Sequence, residues 1–232
     1  MYRVTLWLLA ALLSCPSWSS EAAAQNAPRY LRVVPTAGWY LPVRDARVVG
    51  EGTSAAWTRV AEGPMLGVQA EWKPHFPVSL RGGLLAALSD LELIRNVGTV
   101  SCGERCYRAV YETDPVGGTR VFLGVADLLV RGPHLWVAQP YLVLGGGLKH
   151  YAFDQGELRD EVAAAFPDDE TDPAGHLALG LDLTARGYTV VAEAGTYLST
   201  FDPAPETAAQ EERSGQLQSD VALTLGVRIR LR

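Results

Sequence analysis

A single antiparallel sheet of eight strands, closed on itself as an up-and-down barrel, is the architecture this 232-residue sequence predicts. Three observations predict it. Apolar and polar residues alternate with period two in eight separate stretches. The connections between those stretches are short and long in turn. The cleanest alternation is the last one, running to Arg232, which suits a sheet whose final strand pairs with its first.

The chain begins with Arg3 followed by a short apolar run, Val4 to Leu13, and then by Ala22-Ala23-Ala24. A run of that length is too short to cross a bilayer as a helix, and the order of charge, apolar run and small residues is that of a cleaved secretory signal. The expected division is a signal peptide over 1–24 and one barrel domain over 25–232. A lipid-attachment signal at Cys15 fits less well, because Leu13 stands two residues before it. The net charge of −6 argues against nucleic acid as a partner.

The eight strands are expected at roughly 30–43, 63–73, 77–90, 118–131, 134–151, 175–186, 187–200 and 219–231. Short turns fall at Lys73–Pro77, Gly132-Pro133 and Arg186-Gly187, and long polar loops at 45–62, 91–117, 152–174 and 201–218. One face of each strand is apolar: Leu66, Val68 and Trp72; Leu80, Leu84 and Leu88; Phe122 and Leu128; Leu142, Leu144 and Leu148; Leu177 to Leu183; Val221 to Leu231. The opposite faces carry Glu71, Arg81, Asp127, Lys149, Asp182, Glu193, Arg228 and Arg230, with Arg32 expected among them. A basic residue facing lipid at mid-bilayer costs about 2–4 kcal/mol, so in a membrane barrel these charges point inward. Eight strands enclose little more than their own side chains, which makes a packed, charge-paired lumen the expectation rather than an open pore. Aromatic residues gather at both strand ends: Trp72, Phe76, Trp136 and Tyr188 by the short turns, and Trp39, Tyr40, Tyr151, Phe153, Tyr197 and Phe201 by the long loops. They are read as two interfacial belts.

The terminal stretch Thr224-Leu225-Gly226-Val227-Arg228-Ile229-Arg230-Leu231 carries a polar residue, a Gly two on, and apolar residues alternating to the end. With this motif the chain resembles the small eight-stranded outer-membrane barrels, such as the OmpA transmembrane domain, OmpX and the OmpW-like proteins. The resemblance implies a Gram-negative envelope, outer-membrane lipid and lipopolysaccharide as surroundings, and a porin-like fold. It also implies a β-signal, here Thr224, Gly226, Ile229 and Leu231, read by the barrel-assembly machinery. The chain departs from the pattern by ending in Arg232 instead of an aromatic residue. The short turns would then be periplasmic and the long loops external.

Other sites are weaker. Cys102 and Cys106, spaced C-x3-C with no His nearby, are expected to form a small-loop disulfide after export rather than a metal site. Asp154, Glu157, Asp160, Glu161, Asp168, Asp169, Glu170 and Asp172 make the third long loop acidic, without the Gly-spaced pattern of a dedicated calcium loop. Of the histidines, His75 and His134 fall at short turns, while His150 and His176 fall at the loop ends of adjacent strands. A lipid esterase would need such a His beside Asp172 or Asp154, but no Gly-x-Ser-x-Gly elbow accompanies them. No catalytic, cofactor or metal site is assigned, and a monomer is expected. The functional expectation is a non-enzymatic outer-membrane barrel with a closed lumen and a structural or surface-contact role. The alternatives are a channel for small solutes or hydrophobic compounds, with Gly145-Gly146-Gly147 as a thin wall, an outer-leaflet lipid enzyme, and a soluble lipocalin-like barrel whose faces would be inverted.

Overall fold

The computed structural model describes residues 31–43, 47–49, 56–73, 78–103, 106–154, 158, 169–201 and 216–230. Ten strands cover nearly all of them: β1 (Leu31–Pro42), β2 (Arg47–Val49), β3 (Ala56–Val60), β4 (Gly63–Trp72), β5 (Val78–Gly103), β6 (Cys106–Arg131), β7 (Ala138–Phe153), β8 (Glu170–Ala185), β9 (Tyr188–Phe201) and β10 (Gln216–Arg230). Eight of them form the ring β1-β4-β5-β6-β7-β8-β9-β10, and β10 closes it on β1 through pairs from Arg32↔Arg230 to Pro42↔Asp220. Every pairing is antiparallel between ring neighbours, so the barrel has no free edge along its main body. The eight-stranded antiparallel barrel expected from the alternation is the fold observed.

Parity puts the greasy faces outside. Leu66, Leu84, Leu144, Leu179 and Leu225 are each more than 60% exposed, and Leu80, Leu88, Leu148, Leu177, Val227 and Ile229 also stand out from the wall. On β5 the outward residues change from Leu84, Ala86 and Leu88 to Asp90, and on β6 from Arg120 to Phe122. Leu88 and Arg120 are register partners, so both strands mark the same boundary. From Leu80 to Leu88 the apolar stretch runs roughly 27 Å along the strand, or about 20 Å along the barrel axis at the usual tilt. That approaches the ~25 Å apolar band of transmembrane barrels. A lipocalin-like arrangement, with leucines inside and charges outside, is excluded by these exposures.

Above the boundary the pattern inverts, and here the expected loops are strands. The segment 91–117 continues as the outer half of a hairpin in which β5 and β6 have 26 residues each. Leu91, Leu93 and Val116 now point inward and are buried, while Asp90, Asn96 and Glu112 are exposed together with Val97, Val100 and Tyr111. The expected loop 45–62 contains β2 and β3, and β3 runs along β5 from Ala56↔Arg95 to Val60↔Leu91, directly beyond the stretch that pairs with β4. β8 begins at Glu170 rather than at 175, because Asp172 faces the lumen opposite Lys149. β7 begins at Ala138 rather than 134, since Leu135 and Ala138 bond each other's backbone and close a turn with Trp136 at φ 58°. Arg186 and Gly187, at φ 49° and 87°, make the two-residue β8–β9 turn, whose backbone matches the strand twist.

Candidate functional site

The interior holds polar groups stacked in three tiers. The central tier is built on Arg81 of β5. Its guanidinium donates to Asp127 Oδ2 at 2.9 and 2.8 Å, to Glu193 Oε2 at 2.6 Å and to Gln69 Oε1 at 3.2 Å. Tyr141 donates to the same Glu193 oxygen at 3.0 Å. On the other oxygen of Asp127, His176 Nδ1 sits at 2.8 Å and, facing a carboxylate that only accepts, carries the proton. The His176 ring lies parallel to Tyr197 with centroids 4.4 Å apart. The four charged or imidazole side chains, Arg81, Asp127, His176 and Glu193, come from four different strands, so the tier ties opposite walls together.

Nearer the short turns, Arg131 and Arg228 stand between Glu71 and Asp182. Arg131 lies 2.8 Å from Glu71 and 3.4 Å from Asp182, and its NH1 donates to the buried hydroxyl of Ser79. Arg228 lies 2.6 Å from Asp182 and 3.3 Å from Glu71. Two guanidiniums and two carboxylates thus form a neutral square, with Arg32 3.8 Å from Glu71 on its open side. Lys73, just past the end of β4 at this mouth, has its amine pushed down to about 8 by burial and then by the positive charges of Arg131 and Arg32, against the opposing pull of Glu71.

Nearer the loops, Lys149 contacts Asp220 and reaches Gln218 at 3.4 Å and Ser199 at 3.5 Å. Tyr40 donates to Asp220 at 2.8 Å and Tyr151 to Gln218 at 3.0 Å, with the Lys149 amine 4.6 Å from the Tyr151 ring centroid. Above this lies an apolar cluster that includes Leu91, Leu93, Val116, Val121, Phe153 and Leu158. Leu158 is brought there by Asp154, whose N–H bonds the Gly118 carbonyl and whose carbonyl accepts from Leu158 N–H. A Cβ on Gly117 would come within 2.6 Å of the end of the Leu158 side chain, which would have to shift to make room for it.

Of the expected lumen charges, Glu71, Arg81, Asp127, Lys149, Asp182, Glu193 and Arg228 are inside and in ion pairs. The backbone of Arg230 pairs with Arg32, while its side chain and all of Leu231 lie outside the described residues. Arg131, His176, Gln218, Tyr40 and Tyr151 were missed as lumen residues, whereas Gln69, Tyr141, Tyr197 and Asp220 fall on the polar faces of the alternation without having been counted in the expected charge network. Strand parity places Tyr40 and Tyr151 as well: Tyr40 shares its face with Arg32 and Tyr151 with Lys149.

Parity also corrects the aromatic belts. Trp72, Trp136, Tyr188 and Trp39 are exposed, whereas Tyr40, Tyr151, Phe153 and Tyr197 are buried in the lumen and are not part of an interfacial ring. Phe76 lies outside the described residues, as does the side chain of Phe201. His176 is likewise a mid-barrel lumen residue, not a loop-base histidine. His150 is on the outer face beside Thr171, at 2.7 Å, so the two histidines do not converge. Gly145-Gly146-Gly147 is explained by close approach: a Cβ on Gly145 would meet Asp127 at 2.1 Å and one on Gly147 the Gly124 carbonyl at 1.8 Å. Gly226 packs in the same way against Pro35 and Val34 of β1, while Thr224 faces in and Ile229 out. Cys102 and Cys106 lie at the tip of the β5–β6 hairpin, with side chains outside the described residues, as is most of the acidic segment between Asp154 and Asp169. Among the described residues no group of three or more His, Cys, Asp or Glu side chains is arranged to hold a metal ion.

No protein-family model and no curated protein matches the sequence. Solved structures do match in shape. Neisserial surface protein A aligns over 87% of this chain and 97% of its own, at 12% identity and a TM-score of 0.48. The outer membrane protein OprG from Pseudomonas aeruginosa aligns over 88% and 97%, at 12% identity and a TM-score of 0.48. Ail, the attachment invasion locus protein of Yersinia pestis, aligns over 86% and 99%, at 11% identity and a TM-score of 0.43.

Proposed function

We propose that the chain is a bacterial outer-membrane barrel whose lumen is closed by its own ion pairs, and whose role is structural or one of surface contact rather than passage of solutes. The observation that carries this reading is the opposition of faces: a continuous leucine band outside and compensated charges inside. Exposed apolar residues in such number have no solvent but hydrocarbon that would favour them. Among the described residues six cations (Arg32, Lys73, Arg81, Arg131, Lys149, Arg228) stand among six carboxylates (Glu71, Asp127, Asp172, Asp182, Glu193, Asp220), which suits a packed core better than a conduit of one sign. In this reading the short turns are periplasmic, the β5–β6 hairpin stands outside the cell, and export depends on the segment 1–24. Lipid and lipopolysaccharide surround a monomer assembled by the barrel machinery. Among the described residues His150 and His176 face opposite ways and do not converge on a nucleophile, which favours a non-enzymatic role.

The test is fractionation of cells producing the full chain, followed by electrophoresis of unheated and boiled samples. Recovery in the outer-membrane fraction with heat-modifiable migration is expected. Recovery in the soluble periplasmic fraction, with one mobility, would overturn the reading.

A further inference from the structure

The outer wall of the ring is nearly free of charge from the short turns up to the boundary at Leu88 and Arg120, and its exceptions adjoin one another. Among the described residues, Arg120 of β6 and His150 of β7 are the only basic side chains that the ring strands turn outward in the apolar band or at its edge. The register sets Phe122 opposite His150 and Arg120 opposite Ala152, so Arg120 and His150 are diagonal neighbours on one face. Such positions lie about 7–8 Å apart, close enough for two long side chains to converge on one group. On the far side of His150 stands Thr171 of β8, its hydroxyl 2.7 Å from His150 Nδ1. The other ring nitrogen, Nε2, is 3.8 Å from the exposed Asp169 carboxylate, longer than a hydrogen bond. The exposed Arg120 guanidinium has no ion pair among the described residues, although Asp90 stands on the same outer face of β5. Toward the short turns the pair is followed at once by exposed Phe122 and Leu148.

We propose that Arg120 and His150 hold the phosphate of a membrane lipid from the leaflet on the loop side, with the acyl chains of that lipid laid over Phe122 and Leu148. The inference rests on the reading of the chain as a membrane barrel and adds to it one selected lipid contact. An outward arginine costs about 2–4 kcal/mol at mid-bilayer and about 0–1 kcal/mol near the interface, so the edge of the leucine band is where one is tolerated. Lipid phosphates lie at that same depth, and a guanidinium matches two phosphate oxygens with two parallel N–H donors. With the Thr171 hydroxyl donating to Nδ1, the proton of a neutral imidazole is on Nε2, which donates to the same phosphate. Charge above and apolar surface below thus match the two halves of an anionic lipid, which free phosphate does not offer.

The chain has four histidines, so their ring C–H signals are few enough to follow by NMR, with His150 assigned through His150→Gln. The full chain is used in uncharged maltoside micelles, after heat-modifiable migration has shown that it is folded. Dihexanoyl phosphatidic acid is expected to shift the His150 signal saturably and to leave that of His176, inside the lumen, in place. Dihexanoyl phosphatidylcholine, whose headgroup carries its own cation, and inorganic phosphate, which has no chains, are each expected to act at least tenfold more weakly. Arg120→Gln is expected to weaken the response to phosphatidic acid at least tenfold while leaving heat-modifiable migration intact. No saturable shift, an equal response to phosphatidylcholine, or a response unchanged in Arg120→Gln would overturn the site. Inorganic phosphate acting as strongly as phosphatidic acid would overturn its assignment to lipid. Any of these failures in heat-modifiable protein would leave the barrel reading standing, which fails only by the fractionation and electrophoresis described above.

Discussion

In the proposed closed lumen the two ends are packed by different means. At the short-turn mouth the seal is ionic: Arg131 and Arg228 are locked between Glu71 and Asp182, with Arg32 and Lys73 added on the open side. At the loop end Lys149 is the one lumen cation among the described residues, and tyrosines and leucines finish the seal, with Leu158 resting on Gly117. The difference follows from what surrounds each end. Within the apolar band the outer faces are committed to leucine, so polar residues have only the interior, and buried charges are tolerable there only when paired. Beyond the band the outer faces meet water, and the apolar residues can return to the inside.

The largest effect is expected from the centre that joins the two ends. Arg81→Met leaves Asp127 and Glu193 without their shared guanidinium, and a loss of about 3–5 kcal/mol is expected in reversible urea unfolding. A loss below about 1 kcal/mol would mean that the central tier is hydrated rather than packed. At the loop end, Lys149→Met leaves Asp220 buried with only Tyr40 to serve it. A comparable loss is expected, most of it recovered in the Lys149→Met/Asp220→Asn double variant, and a double-mutant cycle showing no coupling would break the pairing. The apolar seal is cheaper to injure: Leu158→Ala is expected to cost about 2 kcal/mol, the low end for truncating a buried leucine, and to speed proteolysis between residues 154 and 169. Unchanged proteolysis would separate Leu158 from the seal.

The smallest effect is at the short-turn mouth and depends on pH. The Lys73 amine is lowered in the folded barrel, so between pH 8 and its ordinary value near 10.5 the unfolded chain holds more protons. Stability is therefore expected to rise slightly with pH through that window, and to rise less in Lys73→Met. A fall specific to the unmodified protein would mean that burial and the neighbouring guanidiniums do not lower the Lys73 amine.

The ring of strands was legible because lipid demands one kind of face and a narrow lumen the other, so alternation alone revealed both Leu80–Leu88 and Arg81. What was not legible began where the solvent changed. Glu170 to Pro173 and the segment 91–117 read as loops because they are polar, yet polarity marks a loop only where both faces of a strand ought to be apolar or half-buried. Asp172 faces the lumen and Glu92 faces water, so the same kind of residue is compatible with strand for two different reasons. Tyr40, Tyr151 and Tyr197 were assigned to a membrane interface by residue type, although their parity with Arg32, Lys149 and Glu193 places them inside. His176 was misplaced by sequence distance to the loop, when its partner Asp127 comes from a strand 49 residues away. Side-chain type was a weaker guide than position in the alternation.

The account rests on a lumen that its own side chains fill. Single-channel recording in planar bilayers, on the full-length protein refolded in detergent, tests this most directly. The unmodified barrel is expected to show negligible conductance, with small steps appearing when Arg81 is replaced by alanine. Large, stable openings of the unmodified protein would contradict a lumen closed by its ion pairs.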